Sequence, residues 1–421
     1  MITEPSPQTQ APTSLGGRLA VVGPGLIIAA AGVGAGDMVS SLTAGAQFGT
    51  ALLWAVVLGA LIKFFLTEGI GRWYMATGET IVQGWHSLTR WATVYALVYL
   101  VILAFIYGAA VTSATALATT AMFPIMPLEA WAIVIAIVGF SILVVGRYGL
   151  FERVMEGFIV LMFISIVGAA ILTFPNLGEL AVGLVPRVPE GSLLYLLGVM
   201  GGVGATITLA SYTYWVRERG WQGSSWIPTM RVDTTVGYVM TAIFMVSMLI
   251  VGAQFLFGTG RTISGEAGLV ALADPMQEQF GVVARWLFLV GFFSATFTSV
   301  LGGWNGFAYL FGDLVRTFRG VPDAEAESYL SEKGWYFRGF LVFMAFPPML
   351  LLFFGEPVLL VIIYAALGAL FMPFLATTLL LLLNSQRVAR QYRNGIVANV
   401  VLVGAVLLFV VLAVQEVVGL L

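Results

Sequence analysis

Asp37 is the residue that elementary electrostatics singles out. It stands about halfway along an apolar run and directly follows Gly32-Val33-Gly34-Ala35-Gly36. A lone carboxylate at membrane depth is costly unless it is paired, protonated or bound to a cation. Glycines at alternating positions weaken a helix. The turn they loosen frees carbonyls and amides, which is tolerable only where the backbone lines a cavity or is buried in protein. Freed carbonyls beside one carboxylate make an oxygen-rich site suited to a hard cation. The bland alternative is a structural aspartate, protonated or paired with lysine. A second glycine run holds Gly201, Gly202, Gly204, Ala205, Thr206 and Thr208. It offers loose backbone and two hydroxyls that either reach a substrate or bond back to the preceding turn.

Lys63 and Glu68 share another apolar segment. Lys63 is placed to pair with Asp37 or Glu68, or to occupy a charge site that a coupling ion would otherwise fill. Glu68 is alternatively a static partner or a snorkelling side chain. Hydroxyls recur at Thr112, Ser113 and Thr115 and again at Ser294, Thr296, Thr298 and Ser299. They suit an ion path, although interhelical packing is their commoner use. Asn305 and Asp313 follow, Asp313 at the expected interface. Other chemistries are excluded by inventory. Cysteine is absent and His86 is the single histidine, so neither a thiolate nor a histidine-cluster metal site can form within one chain. No Walker-type phosphate loop is present, and neither glycine run follows a strand.

The elements that must position these residues are membrane helices. Hydrophobic types make up 60% of the 421 residues and charged types 10%, far from the roughly 25% charge of soluble proteins. The formal net charge of −2 gives no footprint for nucleic acid. A bilayer core of ~30 Å needs about 20 apolar residues per helix. Eleven segments of that kind are expected, near 19–46, 51–75, 93–122, 129–146, 153–174, 192–216, 233–257, 282–312, 336–354, 357–383 and 395–420. With the N-terminus in the cytoplasm, almost all basic residues fall on the cytoplasmic side and only Arg187, Arg261 and Arg285 on the other. That bias supports a cytoplasmic N-terminus and an external C-terminus in a plasma membrane of bacterial type. Residues 1–17, rich in Pro, Thr, Gln and Ser, are expected to be a disordered cytoplasmic tail.

The Gly-Val-Gly-Ala run occurs twice, at 32–35 and 202–205, each time in the first helix of a five-helix half. An odd number of helices per half inverts the second half. The expected plan is a 5+5 inverted repeat: residues 18–190, then 191–384, then a connection and an eleventh helix over 385–421. In such transporters discontinuous helices meet at the midplane.

At these residues the chain resembles the Nramp family of proton-coupled divalent metal transporters. The resemblance is carried by Gly23-Pro24, Ala44-Gly45-Ala46-Gln47-Phe48-Gly49, Ala76-Thr77-Gly78-Glu79, Gly204-Ala205-Thr206, Phe293-Ser294 and Pro373-Phe374. It covers roughly residues 20–390. It implies an all-α membrane protein of the leucine-transporter-type fold, discontinuous in helices 1 and 6. It also implies a transporter rather than an enzyme, with a divalent metal as substrate and no separate cofactor. No protein partner beyond the bilayer is evident. The departures concern the site. The family's Asp-Pro-Gly-Asn reads Gly34-Ala35-Gly36-Asp37 here, and its Met-Pro-His reads Thr208-Leu209-Ala210. The third-helix acidic pair is absent around 107–115. The tenth-helix Gln aligns with Ala365, beside Tyr364. By analogy the carbonyls of Ala31 and Ala205 would face the substrate beside Asp37 and Thr208. Loss of the thioether favours Mn²⁺ or Mg²⁺ over softer metals, and loss of the proton-path residues favours facilitated uptake. A small organic solute or an anion is the alternative substrate, since half-helix N-termini bind carboxylates.

Overall fold

Among the described residues of the computed structural model, every regular element is a helix. The described residues are 10–32, 34–145, 148–173, 176–202, 207–259, 265–322, 325–354 and 357–419. Among them, eight stretches are long and apolar enough to cross a bilayer. The other expected segments differ for identifiable reasons. The first is two helices, Pro24–Gly32 and Ala35–Phe48. The sixth is Leu193–Gly202, then a 3₁₀ turn Ile207–Ser211, then Tyr212–Glu218. The eleventh is the helix Ile396–Gly419, whose shorter apolar part is Ile396–Leu412.

The tenth segment is also interrupted, as Pro357–Leu370 and Met372–Leu383, where an unbroken helix was expected. Pro373 lies in the first turn of the second piece. It has no N–H to return to the preceding turn, so the helix restarts there. In the expected tail, residues 1–9 lie outside the described residues. The tail's second part departs from expectation: the Ser14 hydroxyl accepts from the Gly17 amide at 3.1 Å and starts the short helix Leu15–Leu19.

The second segment, Leu53–Thr77, ends at Gly78, whose φ of 77° only glycine adopts without strain. The third is Arg90–Met122, the fourth Leu128–Val145 and the fifth Tyr148–Leu172. The seventh is Ile227–Leu256 and the eighth Val282–Arg319. The ninth is Trp335–Ala345, continued by the 3₁₀ turn Pro347–Phe354. Both pieces of the first segment pack along the seventh, and the eighth packs against the third and fifth. Glycines allow this closeness. A Cβ on Gly25 or Gly237 would overlap backbone across one contact, and a Cβ on Gly45 or Gly252 across the other. Exposed Val98, Ile102, Ile133, Ile164 and Val400 point away from this core, into the hydrocarbon that a polytopic fold requires.

Candidate functional site

The first segment breaks at Gly34, which has φ −111° and ψ −140° and stands as the N-cap of Ala35–Phe48. Gly34 is buried, and a Cβ there would overlap the Ser299 hydroxyl of the eighth segment. The N-terminal piece, Pro24–Gly32, therefore ends with carbonyls that lack helical partners. The eighth segment supplies two of these partners. Thr298 Oγ1 donates to the Ala30 carbonyl at 3.0 Å, and Ser299 Oγ donates to the Ala31 carbonyl at 3.0 Å. A carbonyl has two lone pairs, so the Ala31 oxygen keeps one for another ligand. Tyr107 of the third segment donates to the Ser299 carbonyl at 2.6 Å and meets the Tyr364 ring edge-on at 4.8 Å. Tyr364 thus joins the wall behind the break, through Tyr107.

Asp37 lies in the first turn of Ala35–Phe48, and its side chain lies outside the described residues. So do Gly204, Ala205 and Thr206, where the sixth segment was expected to break. Thr208 is buried on the 3₁₀ turn. Lys63 is fully buried, and its Nζ donates at 2.8 Å to the carbonyl of Gly201 in Leu193–Gly202. Among the described residues no group of three His, Cys, Asp or Glu side chains is placed to hold a metal.

The neighbouring polar residues take these partners, and among them Asp313 departs from expectation. Glu68 does not serve Lys63. It pairs with Arg72 at 3.0 Å and with Arg231 of the seventh segment at 2.9 Å. The i,i+4 spacing on one helix face makes Arg72 its natural partner. Asn305 is tied down at both ends. Its Oδ1 accepts from Trp215 Nε1 at 3.0 Å and its Nδ2 donates to Glu332 at 3.2 Å. That makes it a strut between the sixth and eighth segments. Asp313 is fully buried instead of interfacial, holding Tyr214 at 2.8 Å and Arg316 at 3.0 Å. The third-segment hydroxyls Thr112, Ser113 and Thr115 each donate back to the preceding turn, as packing residues do.

One cluster was missed from the sequence. Asp233, fully buried in the seventh segment, accepts from the amides of Gly23 at 2.9 Å and Gly25 at 2.6 Å. It also accepts from the Tyr212 hydroxyl at 2.8 Å. A carboxylate thus faces the positive end of Pro24–Gly32, the favourable polarity. Arg219 and Glu152 form an ion pair beside it, against Gly23. The available signal was a carboxylate at the start of an apolar run.

A family model described as natural resistance-associated macrophage protein-like matches residues 25–419. An uncharacterized protein of Pasteurella multocida is 25% identical over 333 residues, 75% of this chain and 74% of that one. The divalent metal cation transporter MntH of Staphylococcus saprophyticus is 22% identical over 405 residues, 90% and 87% of the two chains. A mutant of the Eremococcus coleocola manganese transporter superposes with a TM-score of 0.77 at 16% identity, covering 97% of this chain and 89% of that one. A nucleobase-cation-symport-1 family transporter superposes with a TM-score of 0.57 at 15% identity, covering 98% and 95%. At such identities the structural likeness shows a shared fold.

Proposed function

The chain belongs to the Nramp family, and on that premise we propose that it is a transporter, not an enzyme, carrying a divalent metal cation, Mn²⁺ or Mg²⁺, by alternating access. The observation that carries this reading is the break at Gly34. It leaves carbonyl oxygens at the end of Pro24–Gly32, with Asp37 one turn away in the chain. The ligands on offer there are oxygens: the Ala31 carbonyl, the Thr208 hydroxyl and the Asp37 carboxylate. Oxygen ligands suit hard divalent cations.

The two inner half-helices are the moving parts of the proposed cycle. In the present state both are bolted down. Asp233 holds the start of the first segment. The end of the sixth is held to the eighth by Trp215–Asn305, Tyr214–Asp313 and Tyr309–Glu218. Release of these contacts would open the site toward the side that carries most of the arginines, which the positive-inside rule makes the cytoplasm. Uptake is then facilitated and driven by the membrane potential, worth ~2.3 kcal/mol per charge per 100 mV.

Uptake of Mn²⁺ or Mg²⁺ into proteoliposomes tests the reading. Wild type is expected to transport, and Asp37→Ala to lose uptake while remaining monodisperse and cooperatively folded. Undiminished uptake by the variant removes Asp37 from the site. The buried Lys63 ammonium favours one second reading, an anionic or small organic substrate. Calorimetric titration separates the two, because that reading predicts no heat from either metal at millimolar concentration.

A further inference from the structure

Glu68 is outnumbered. It pairs with Arg72 and Arg231, and Arg393 lines the same cavity of about 250 Å³ between the second, seventh and eleventh segments. Three guanidiniums against one carboxylate leave two positive charges in excess. Asp233, the next carboxylate along the seventh segment, is engaged by the Gly23 and Gly25 amides. Arg72 is buried and held on several sides. Besides Glu68 it donates to the Tyr392 carbonyl at 2.8 Å and to Asn394 Oδ1 at 2.7 Å, which fixes the chain on either side of Arg393. The Arg231 side chain is 56% exposed and gives its Nε to Glu68. Arg393 gives its Nε to the Val388 carbonyl at 3.0 Å. Among the described residues, the terminal amino groups of Arg231 and Arg393 have no protein partner. The rest of the wall is apolar, with Phe64, Phe65 and Val397 lining the cavity. Leu61 stands one helical turn before Phe65, and Val239 about two turns after Arg231. Both are exposed, as are Val397 and Val400, and such surfaces of a polytopic fold face hydrocarbon. Two unmatched guanidiniums therefore stand where the apolar surface gives way to the polar connections. Basic pockets between membrane helices at that level recognise anionic headgroups, and the guanidinium fork matches phosphate oxygens in geometry.

We propose that one anionic phospholipid docks in this cavity, its phosphate held by Arg231 and Arg393 and its acyl chains lying along Leu61, Val239 and Val397. Charge selects the headgroup. A zwitterionic lipid brings an ammonium that the two guanidiniums repel, whereas an anionic lipid brings only negative charge. The chains select a lipid over a free phosphate, because the apolar wall continues from the cavity along all three helices. The bound lipid joins the second, seventh and eleventh segments at one point, beside the Arg72 contacts that tie the second segment to the connection before the eleventh. Nothing in this site depends on which substrate the chain carries.

The test is thermal unfolding and native mass spectrometry of the purified full chain in detergent. Phosphatidylglycerol is compared with phosphatidylcholine of the same chains and with glycerol phosphate. Wild type is compared with the double variant Arg231→Gln, Arg393→Gln, which leaves the Arg72–Glu68 pair in place. Phosphatidylglycerol is expected to raise the wild-type unfolding temperature saturably, with one lipid retained per chain. The double variant should need roughly thirtyfold more of it, the factor for two guanidinium contacts at an anionic surface, while still unfolding cooperatively in phosphatidylcholine. Equal shifts from the two lipids would mean general solvation by lipid and overturn the proposal. A glycerol phosphate shift as large as that of phosphatidylglycerol would leave only a free-anion site and overturn the lipid. Undiminished retention by the double variant would place the lipid elsewhere. Should the double variant not fold, Arg393→Gln alone decides: about a fivefold loss of affinity is expected, and no loss refutes the site.

Discussion

Asp233→Asn tests whether the start of the first segment is the inner gate. The wild-type carboxylate accepts from two backbone amides and one tyrosine hydroxyl, at 2.9, 2.6 and 2.8 Å. The amide side chain keeps one acceptor oxygen and turns an NH₂ group toward donors. One buried donor is left unsatisfied, which costs about 1–3 kcal/mol. The charge facing the half-helix N-terminus is also lost, about 0.3–1 kcal/mol, or up to ~2 kcal/mol where partly buried. A total near 3 kcal/mol corresponds to roughly a hundredfold in an equilibrium constant. If these contacts exist only in the inward-closed state, the inward-open population should rise by that factor. The chain has no native cysteine, so one introduced at Ala29, on the buried inner piece, is a clean reporter. Its labelling by an impermeant maleimide from the cytoplasmic face should accelerate roughly in proportion to the open population. An unchanged labelling rate together with a lowered unfolding temperature would refute the reasoning, because the contact would then persist through the cycle.

Other expectations follow from the same geometry. Gly34→Ala should destabilise by about 1–3 kcal/mol through overlap with Ser299, and Ser299→Gly should recover part of that loss. Additive losses in a double-mutant cycle would show that the two positions do not meet. Glu68→Gln leaves the buried Arg72 beside Arg231 without their shared carboxylate. It should cost about 3–5 kcal/mol of stability, read by denaturant unfolding, and leave the KM for metal unchanged. A shifted KM would return Glu68 to the transport path. Asn305→Ala should free Trp215 and raise labelling of the same Ala29 reporter, because the inner sixth half-helix loses a strut to the eighth segment. A silent Asn305→Ala would mean that this half-helix stays docked throughout.

Some features of the site were legible because they are local. Glycine at alternating positions weakens a helix wherever the helix lies, so the interruption at Gly34 follows from the residues themselves. The restart at Pro373 was equally local and was passed over, since a hydropathy pattern runs smoothly through a proline. The hydroxyls at Thr298 and Ser299 were visible as a pattern without a purpose. Their purpose depends on the first segment ending beside them, and no property of the eighth segment states that.

The sequence alone determined that this chain lives in a bilayer, that the backbone of its first segment gives way beside Asp37, and that thiolate and histidine-cluster chemistry are excluded. These are consequences of composition and of residues adjacent in the chain. Only the tertiary structure decided who answers whom. Lys63 reaches Gly201 across 138 residues, Asp233 reaches Gly23 across 210, and Glu68 turns to Arg72 and Arg231. The second segment is buried on most sides, so it carries no apolar stripe to reveal which face meets which neighbour. A buried charge must find a partner. The sequence states that obligation, and the packing of the helices chooses the partner.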